Sequence, residues 1–526
     1  MSAVDRPVAF AARLRRDGVL FLMPRNLYQG WPFSNDFTRH ILAAPSSCFP
    51  QLAAMIPELP VRYLDAGLDR RLDYTDYLAQ LGSAPVVCLS AVSPLVALNT
   101  ELTVRLIRKH FPNTLIVLGG HHATFYADQW LARGVHVVVR REGEPPFQNL
   151  LRALRDGRPL DDIPGLSYRD RDGRARHNPE APFLPDLDAL PLPNWDIVDL
   201  AQYRFRLQPH GHPATIESAR GCPHGCAFCC AASMWNHTQR FKSAARIIGE
   251  MENLVGRGVG SILFADDNFA ARRDRDLRVF DEILKRGWRL GLWCFLRADL
   301  ALNDPEYLDV ATRAGLRMVY IGYETVCDET LDKYEKNPAQ GVGPAAYPQI
   351  YRLLKSRGVF VYGLFVRDFD AEQEDKVRWP VWRQVRRISD ITAQTRFIPM
   401  RGVPGSEDLA ARGYELKDLF YHDRFMPAFR YRGRPQGSRY VLTAAYDLLK
   451  PANFYKMLAG SFVERSFFRS LYRGLLADLC RLRWLNLRAF AVTMRPNLPL
   501  DERQRRISTM FRRAFGVADS PPDGED

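Results

Sequence analysis

Three cysteines near the middle of the chain constrain its fold and chemistry more than any other feature. Cys222, Cys226 and Cys229 share one short segment, with three residues between the first two and two residues between the last two. Three thiolates at this spacing can bind three irons of one [4Fe–4S] cluster, because cysteine thiolates are the usual ligands of such clusters. A zinc site is the alternative, although zinc favours two Cys-x-x-Cys pairs or additional histidine ligands. The spacing predicts a cluster whose fourth iron is open to another ligand, and we interpret Cys230 as a packing residue.

From residue 214 onward, strand-like apolar runs alternate with helical segments. Repeated βα units of this length predict a partial (β/α)6 TIM-like barrel over residues 214–410, with its active groups at the carboxyl ends of the strands. Polar groups follow four of the predicted strands. The six predicted strands are Ala214–Ala219, Ser261–Ala265, Leu292–Arg297, Arg317–Ile321, Val359–Val366 and Ile391–Ile398.

The cysteine segment resembles the radical S-adenosylmethionine (SAM) enzymes, in which an aromatic residue precedes the last cysteine, as Phe228 does here. The resemblance implies that the open iron holds the amino and carboxylate groups of SAM. It also implies contacts at later strand ends: Asp267 to the SAM amino group, Glu324 to its ribose, and the Pro404–Gly405 turn around its adenine. Arg297 is a further candidate, because a guanidinium can pair with the SAM carboxylate.

The first 155 residues show the same alternation of short apolar strands and helices. This pattern predicts a doubly wound parallel sheet, whose ligands bind at the carboxyl ends of the strands. The predicted strands are Val19–Met23, Val61–Leu64, Val86–Ser90, Leu115–Leu118 and Val135–Val139.

Joined to the cysteine motif, this first segment resembles the Rossmann-like cobalamin-binding domain that precedes the core of cobalamin-dependent radical SAM enzymes. In that family, a Gly-Gly turn after one strand and a later Gly-Glu turn line the cofactor. The corresponding turns here are Gly119-Gly120-His121 and Arg141–Phe147. Together with the end of the third strand, the residues implied in cobalamin binding are Ser90, Ser93, Gly119, Gly120, His121 and Glu144.

The loop after the first predicted strand bears on how cobalamin would bind. Other cobalamin proteins supply a histidine to cobalt from an Asp-x-His-x-x-Gly motif, and none of the eleven histidines here has Asp two residues before it. Leu27 stands where that histidine would be relative to Gly30. We therefore expect Leu27 on the lower face of the cofactor and no histidine ligand there.

The predicted fold class is α/β in two successive domains with a further region after them. The cobalamin-binding domain is predicted over residues 1–155, and a Pro-rich linker with a small hairpin over residues 156–213. The radical SAM core follows over residues 214–410. A mainly helical, substrate-associated region is expected over residues 411–518, and a disordered tail over residues 519–526.

The positive charge of the chain is concentrated in the C-terminal region. The formal net charge is +13, and residues 424–513 hold 19 basic and 5 acidic residues. Residues 467–482 predict an amphipathic helix with an arginine face, which could pack on its own domain, bind an anionic substrate or make peripheral membrane contact. No apolar run is long enough to span a membrane, and the cysteines form no secreted framework, so we expect a cytoplasmic protein.

The resemblance implies an enzyme that transfers a methyl group to an unactivated carbon. A radical derived from SAM would remove a hydrogen atom from the substrate, and methylcobalamin would supply the methyl group. The expected partners are a small-molecule, lipid or tetrapyrrole-like substrate and an electron donor of the flavodoxin or ferredoxin type. A ring-forming or rearranging enzyme is the alternative. An RNA-modifying enzyme is less favoured, because the N-terminal domain lacks the cysteine triad of the radical SAM methylthiotransferases.

Overall fold

The computed structural model describes residues 7–24, 44–66, 74–170, 172–203, 211–333, 342–367, 387–397, 400–411, 414–416 and 429–431. Leu27, the helix predicted over residues 467–482 and the tail 519–526 therefore lie outside the described residues. Within the described ranges, no helix is both long enough and apolar enough to cross a membrane.

Seven strands form the first sheet, and the first five of them are parallel. They are β1 (Val19–Met23), β2 (Val61–Asp65), β3 (Val86–Ser90), β4 (Leu115–Gly119), β5 (Val137–Val139), β6 (Leu166–Arg169) and β7 (Ala175–His177). The order β2-β1-β3-β4-β5 is the doubly wound, flavodoxin-like order, in which the chain reverses its direction of winding between β1 and β3. The five predicted parallel strands are confirmed.

The hairpin predicted within the linker belongs to this first sheet. β6 pairs antiparallel with β5, with Val137 opposite Tyr168, and β7 pairs antiparallel with β6. The chain therefore returns to the edge of the first sheet before it enters the second one.

Six parallel strands form the second sheet in sequential order. They are β8 (His212–Ile216), β11 (Val259–Phe264), β12 (Gly291–Leu296), β13 (Leu316–Glu324), β14 (Phe360–Arg367) and β15 (Ile391–Arg396). A short antiparallel ribbon, β9 (Ala219–Arg220) with β10 (Arg240–Phe241), encloses the cysteine segment. The single strand predicted over 214–219 is thus two strands, because the Ser218 backbone NH donates to the Asp266 side chain (2.6 Å) instead of a neighbouring strand.

Helices connect the strands of both sheets, as expected for parallel βα units. Helical patterning in the sequence predicts four of these helices, over Thr100–His110, Ala127–Arg133, Ala244–Gly256 and Pro305–Ala314, and all four are present. Two short strands, β16 (Tyr414–Leu416) and β17 (Phe429–Tyr431), pair near the end of the described residues. The helices are α1 (Pro7–Asp17), α2 (Cys48–Ala54), α3 (Tyr74–Gly82), α4 (Pro94–His110), α5 (His121–Phe125), α6 (Ala127–Ala132), α7 (Glu144–Asp156), α8 (Ala231–Met234), α9 (Ala244–Val255), α10 (Arg273–Lys285), α11 (Ala298–Asn303), α12 (Pro305–Ala314), α13 (Asp328–Lys333), α14 (Tyr347–Ser356) and α15 (Pro404–Ala411).

The two halves of the chain share one of the three apolar cores. One core lies within the second half, and one covers a face of the first sheet. The remaining core, on the other side of the first sheet, also contains Ala227 from the cysteine segment and Phe397, Met400 and Val403 from the end of the second sheet. Because these residues are buried together with Leu89 and Leu118, the first sheet packs directly on the cysteine segment.

Candidate active site

The three predicted cluster ligands lie in one loop between β9 and α8. Cys222, Cys226 and Cys229 are half-buried and form no disulfide, and the Cys229 backbone NH donates to the Cys226 carbonyl (3.0 Å). Gly221 begins the loop with φ +90, and a Cβ there would lie 2.1 Å from the Thr238 carbonyl oxygen. Among the described residues, no three His, Cys, Asp or Glu side chains converge as a single metal ion requires. Three thiols carried by one short loop fit a cluster, in which each thiolate binds a different iron.

Burial shapes the chemistry of these thiols. It raises the pKa of Cys229 well above its ordinary value, and it raises the pKa of Cys230 to about 11. A bound iron would offset this effect, because a coordinating metal stabilises the thiolate. Cys230 packs against the core shared with the first sheet, as the sequence interpretation of this residue requires.

The two aspartates after β11 have different environments. Asp266 is buried and accepts hydrogen bonds from the Ser218 backbone NH and hydroxyl group, and burial raises the pKa of Asp266 to about 7. Asp267, the predicted ligand of the SAM amino group, keeps solvent exposure. Surrounding protein nevertheless raises the pKa of Asp267, and attraction to His121 opposes that rise. Asp266 therefore fixes the segment after β8 that leads to the loop, whereas the next residue, Asp267, remains exposed.

The other predicted SAM ligands also lie at strand ends of the second sheet. Arg297 follows β12, where its Nε donates to Asp299 Oδ1 (3.2 Å) and its Nη2 donates to Asp299 Oδ2 (3.2 Å). Glu324 ends β13, is buried and has φ +62, next to a register shift in the pairing of β13 with β14. The Gly405 NH donates to the Ala227 carbonyl (2.8 Å), so the Pro404–Gly405 turn contacts the cysteine loop directly. Phe228 packs against the shared core.

Backbone strain is concentrated around this region. Five described non-glycine residues have positive φ, a conformation that costs on the order of 1–3 kcal/mol for such residues. Glu324 ends β13, Arg141 and Ala270 lie in the loops after β5 and β11, and Asn236 and His237 follow α8. Such strain persists only where the surrounding structure imposes it. These residues are Arg141, Asn236, His237, Ala270 and Glu324.

The carboxyl edge of the first sheet brings together the predicted cobalamin residues that the structure describes. Ser90 ends β3, Ser93 precedes α4, and Gly119 ends β4. Gly120 has φ +100, and a Cβ there would lie 2.6 Å from the Ala91 carbonyl oxygen. This edge is thus built from small residues that allow close approach to the backbone, which fits a large planar cofactor.

His121 extends from this edge towards the second half. Its ring meets the Trp235 ring edge-on, with centroids 6.4 Å apart. Burial lowers the pKa of His121, and the Asp267 carboxylate acts against that effect. A predicted cobalamin residue of the first half and a predicted SAM residue of the second half therefore interact.

Glu144, a predicted cobalamin residue, has an ion-pair partner within the chain. Its buried carboxylate accepts from Arg220 Nη2 (2.5 Å), and Glu142 accepts from Arg220 Nη1 (2.5 Å). Arg220 Nε donates to Glu217 (2.7 Å), and Arg240 Nη1 donates to Glu142 (3.0 Å). Burial would raise the pKa of Glu144, but Arg220 holds it below its ordinary value.

We call Glu142, Glu144, Glu217, Arg220 and Arg240 the carboxylate clasp. It joins the first sheet to the strand that leads into the cysteine loop. The sequence reasoning missed Arg220, although its position directly before Gly221-Cys222 was a signal. Arg141 adds a further contact, since its Nη1 donates to the Met234 carbonyl (2.7 Å).

Comparison with known proteins assigns the same two parts to the chain. Residues 49–151 match the B12 binding domain family, and residues 216–380 match the Radical SAM superfamily. The first matched range covers the edge with Ser90, Gly120 and His121. The second covers all three cysteines, Asp267 and Glu324.

Several relatives and one solved structure are similar to this chain over much of its length. An uncharacterized methyltransferase of Pyrococcus horikoshii is 28% identical over 62% of this chain and 70% of the relative. The anaerobic magnesium-protoporphyrin IX monomethyl ester cyclase of Rubrivivax gelatinosus is 29% identical over 55% of this chain and 51% of the relative. The hopanoid C-3 methylase of Methylococcus capsulatus is 26% identical over 67% of this chain and 68% of the relative.

In fold, the chain is similar to the radical SAM methyltransferase TsrM of Kitasatospora setae, solved with cobalamin and a [4Fe–4S] cluster. The TM-score is 0.64 at 18% identity, over 89% of this chain and 99% of that one. With both family models matched in the same order as the two sheets, the chain belongs to the cobalamin-dependent radical SAM enzymes, and its cofactors are a [4Fe–4S] cluster, SAM and cobalamin.

Proposed function

We propose that this enzyme transfers a methyl group to an unactivated carbon of an apolar small-molecule, lipid or tetrapyrrole-like substrate. The observation that carries the proposal is the direct packing of the first sheet on the cysteine loop, where Ala227 and Phe228 enter the core of the first sheet. This packing puts the proposed cobalamin edge and the proposed SAM edge on two sides of one cleft.

The bound groups supply the chemistry that side chains cannot: the cluster and SAM supply a hydrogen-abstracting radical, and cobalamin supplies the methyl group. The chain's own residues bind and orient these groups. We propose that Asp267 binds the SAM amino group, that Glu324 binds the ribose, and that Arg297 exchanges Asp299 for the SAM carboxylate. The Gly119-Gly120 turn holds the cobalamin edge, and the apolar packing around Phe228 excludes water.

The inner face of the second sheet supports an apolar substrate. Phe295, Tyr320 and Tyr362 lie opposite one another on β12, β13 and β14. The first two rings stack with centroids 4.7 Å apart, and the last two are 5.2 Å apart. Phe295 is 38% exposed, so this aromatic surface is open to a ligand. A flat hydrocarbon or macrocyclic surface can stack on such rings.

A ring-forming reaction without methyl transfer is the second candidate. It is favoured by the similarity to a relative named a magnesium-protoporphyrin cyclase. Both reactions would use the same two edges, and they differ in their products, since methyl transfer adds one CH2 to the substrate.

We further propose the finer organisation of the chain. The six sequential strands support curvature into a partial (β/α)6 barrel. We propose that the chain divides at residues 1–155, 156–213, 214–410 and 411–518. We also propose that the enzyme is cytoplasmic and that it receives electrons from a flavodoxin- or ferredoxin-type donor. The basic region of residues 424–513 would contact the substrate or a membrane surface.

The test is a comparison of metabolites by mass spectrometry in cells with and without the gene, grown anaerobically with cobalamin. Supplying methionine with a labelled methyl group should label the product that depends on the gene. A product that depends on the gene, carries no label and has lost hydrogen would instead identify the ring-forming reaction.

A further inference from the structure

A basic groove lies on the surface next to the β9–β10 ribbon. Its volume is about 590 Å³, and five of its lining side chains are cationic whereas two, Asp188 and Asp274, are acidic. None of the residues placed above at the two cofactor edges lines this groove. Its cationic residues are Lys242, Arg272, Arg273, Arg275 and Arg278.

The groove adjoins the chain segment that enters the cluster loop. The Lys242 NH donates to the Ser218 carbonyl (3.0 Å), and Arg275 Nη1 donates to the same oxygen (2.8 Å). Ser218 comes shortly before Cys222 along the chain. The backbone behind the groove therefore continues directly into the first cysteine.

The two sides of the ribbon meet different surroundings. Arg220 and Arg240 face the first sheet through the carboxylate clasp. Phe241, the neighbour of Arg240 in β10, lines the groove instead, with Arg272 4.8 Å from its ring centroid. This alternation follows from strand geometry, because successive side chains point to opposite faces. The groove therefore lies on the face of the ribbon opposite to the one that contacts the cobalamin-binding half.

The distribution of charge within the groove favours a protein surface over a small anion. Three of its cations already have acidic partners: Lys242 pairs with Glu250, Arg273 with Asp304 and Arg275 with Asp276. Arg272 and Arg278 are exposed and form no ion pair with another described residue. The available positive charge therefore lies on the rim, where an acidic protein surface can meet it, and not at the floor, where a small anion would be enclosed.

We propose that this basic groove is the docking surface for an acidic one-electron donor protein of the flavodoxin or ferredoxin type. The inference rests on the proposed function, because a cluster that must be reduced requires such a donor. In the transfer, the donor cofactor loses one electron and the enzyme's cluster gains one. The cofactor cleft is not available to the donor, since SAM, cobalamin and substrate fill it during catalysis.

The test compares two charge-reversed variants by anaerobic stopped-flow with a bacterial flavodoxin in its hydroquinone form. Arg272→Glu/Arg278→Glu alters the groove. Arg289→Glu/Arg313→Glu is the matched control, because both of its arginines are exposed and precede β12 and β13, at the amino ends of the strands. At low ionic strength we expect the groove variant to slow reduction by about tenfold or more and the control by less than about twofold.

A second readout is the affinity of oxidised flavodoxin for each variant, measured by calorimetry, which does not depend on turnover. Reduction by dithionite should be the same in all variants, and salt should remove the difference between them. Equal losses in both variants, or a wild-type rate that does not respond to salt, would overturn the proposal. So would a groove variant that loses binding of inorganic phosphate or RNA but keeps flavodoxin binding.

The proposed function is tested separately in this system. Wild-type enzyme reduced by dithionite should still yield the methylated product. If it does not, methyl transfer fails whether or not flavodoxin docks at the groove.

Discussion

The carboxyl edges of the two sheets lie against one another, yet they present different chemical groups. The edge of the first sheet presents small residues and backbone, namely Ser90, Gly119 and Gly120. The edge of the second sheet presents charged side chains, namely Asp267, Arg297 and Glu324. A backbone edge can hold a large ligand by shape, because a glycine allows close approach. A charged edge can orient a small zwitterion by directed ion pairs and hydrogen bonds.

This contrast teaches that the two binding edges depend on different kinds of residue. In the second half, loss of one side-chain ligand should abolish binding. In the first half, the conformation of a turn matters more than any one functional group. The carboxylate clasp couples the two, since Arg220 precedes the cysteine loop while Glu142 and Glu144 belong to the first half.

The prediction with the largest expected effect concerns the second half of the chain, where binding is expected to depend on individual side chains. Replacing Cys222, Cys226 or Cys229 by alanine should remove most of the iron and all SAM cleavage, because each thiolate is expected to bind a different iron. Cys230→Ala should keep both, because that thiol packs against the shared core. Iron analysis of anaerobically reconstituted protein checks this. A full cluster in any of the three variants would contradict the assignment.

The next effect concerns the coupling between the two halves. Arg220→Gln should destabilise the protein by about 3–5 kcal/mol, because it leaves buried carboxylates without their cation. Lys285→Gln is the control, since the side chains of Lys285 and Glu282 are 70% and 40% exposed in their pair and its loss should cost less than about 1 kcal/mol. Urea unfolding measures both values. Equal costs would show that the clasp contributes no more than a surface ion pair.

Two neighbouring glycines test whether the edge of the first sheet depends on the conformation of its turn. Gly120→Ala should cost about 1–3 kcal/mol and weaken cobalamin binding, because Gly120 has φ +100 and ψ 172, a region open to glycine. At Gly119 a Cβ would meet only the Val139 carbonyl oxygen at 3.7 Å, an ordinary contact. Gly119→Ala should therefore leave thermal stability nearly unchanged. A similar loss in both variants would mean that the turn conformation is not the determinant.

The smallest expected effect is the pH dependence of the stability that Glu144 contributes to the carboxylate clasp. The folded-state pKa of Glu144 is below its ordinary value, so its ionised form stabilises the folded protein. This contribution is fully present above the ordinary glutamate pKa, about 4.3, and is lost as the pH falls through the lowered folded-state value. The difference in unfolding free energy between wild type and Glu144→Gln should thus shrink on acidification below pH of about 4. A difference that does not change with pH would contradict the ionised pair.

Sequence reasoning located most strands, because short apolar runs between helices are a local pattern. It missed α10 (Arg273–Lys285), whose charged residues outnumber the apolar ones that form its buried face. It selected Asp267 but assigned no role to Asp266, because the sequence does not show which backbone groups a buried carboxylate will meet. Their environments become distinct when β8 and β11 pair and Ser218 reaches Asp266.

The sequence by itself determined the features that depend on short spacings. These are the three cysteines of one loop, the Gly119-Gly120 turn and the alternation of strands and helices. Tertiary structure alone decided the partners of Glu144 and Arg220, which lie 76 residues apart, and the proximity of His121 to Asp267. The physical reason is that local spacing limits which groups can converge within a loop. Contacts between distant segments depend on how the two sheets pack against each other. A charged side chain is buried in that packing only where the opposite surface supplies a group that pairs with it.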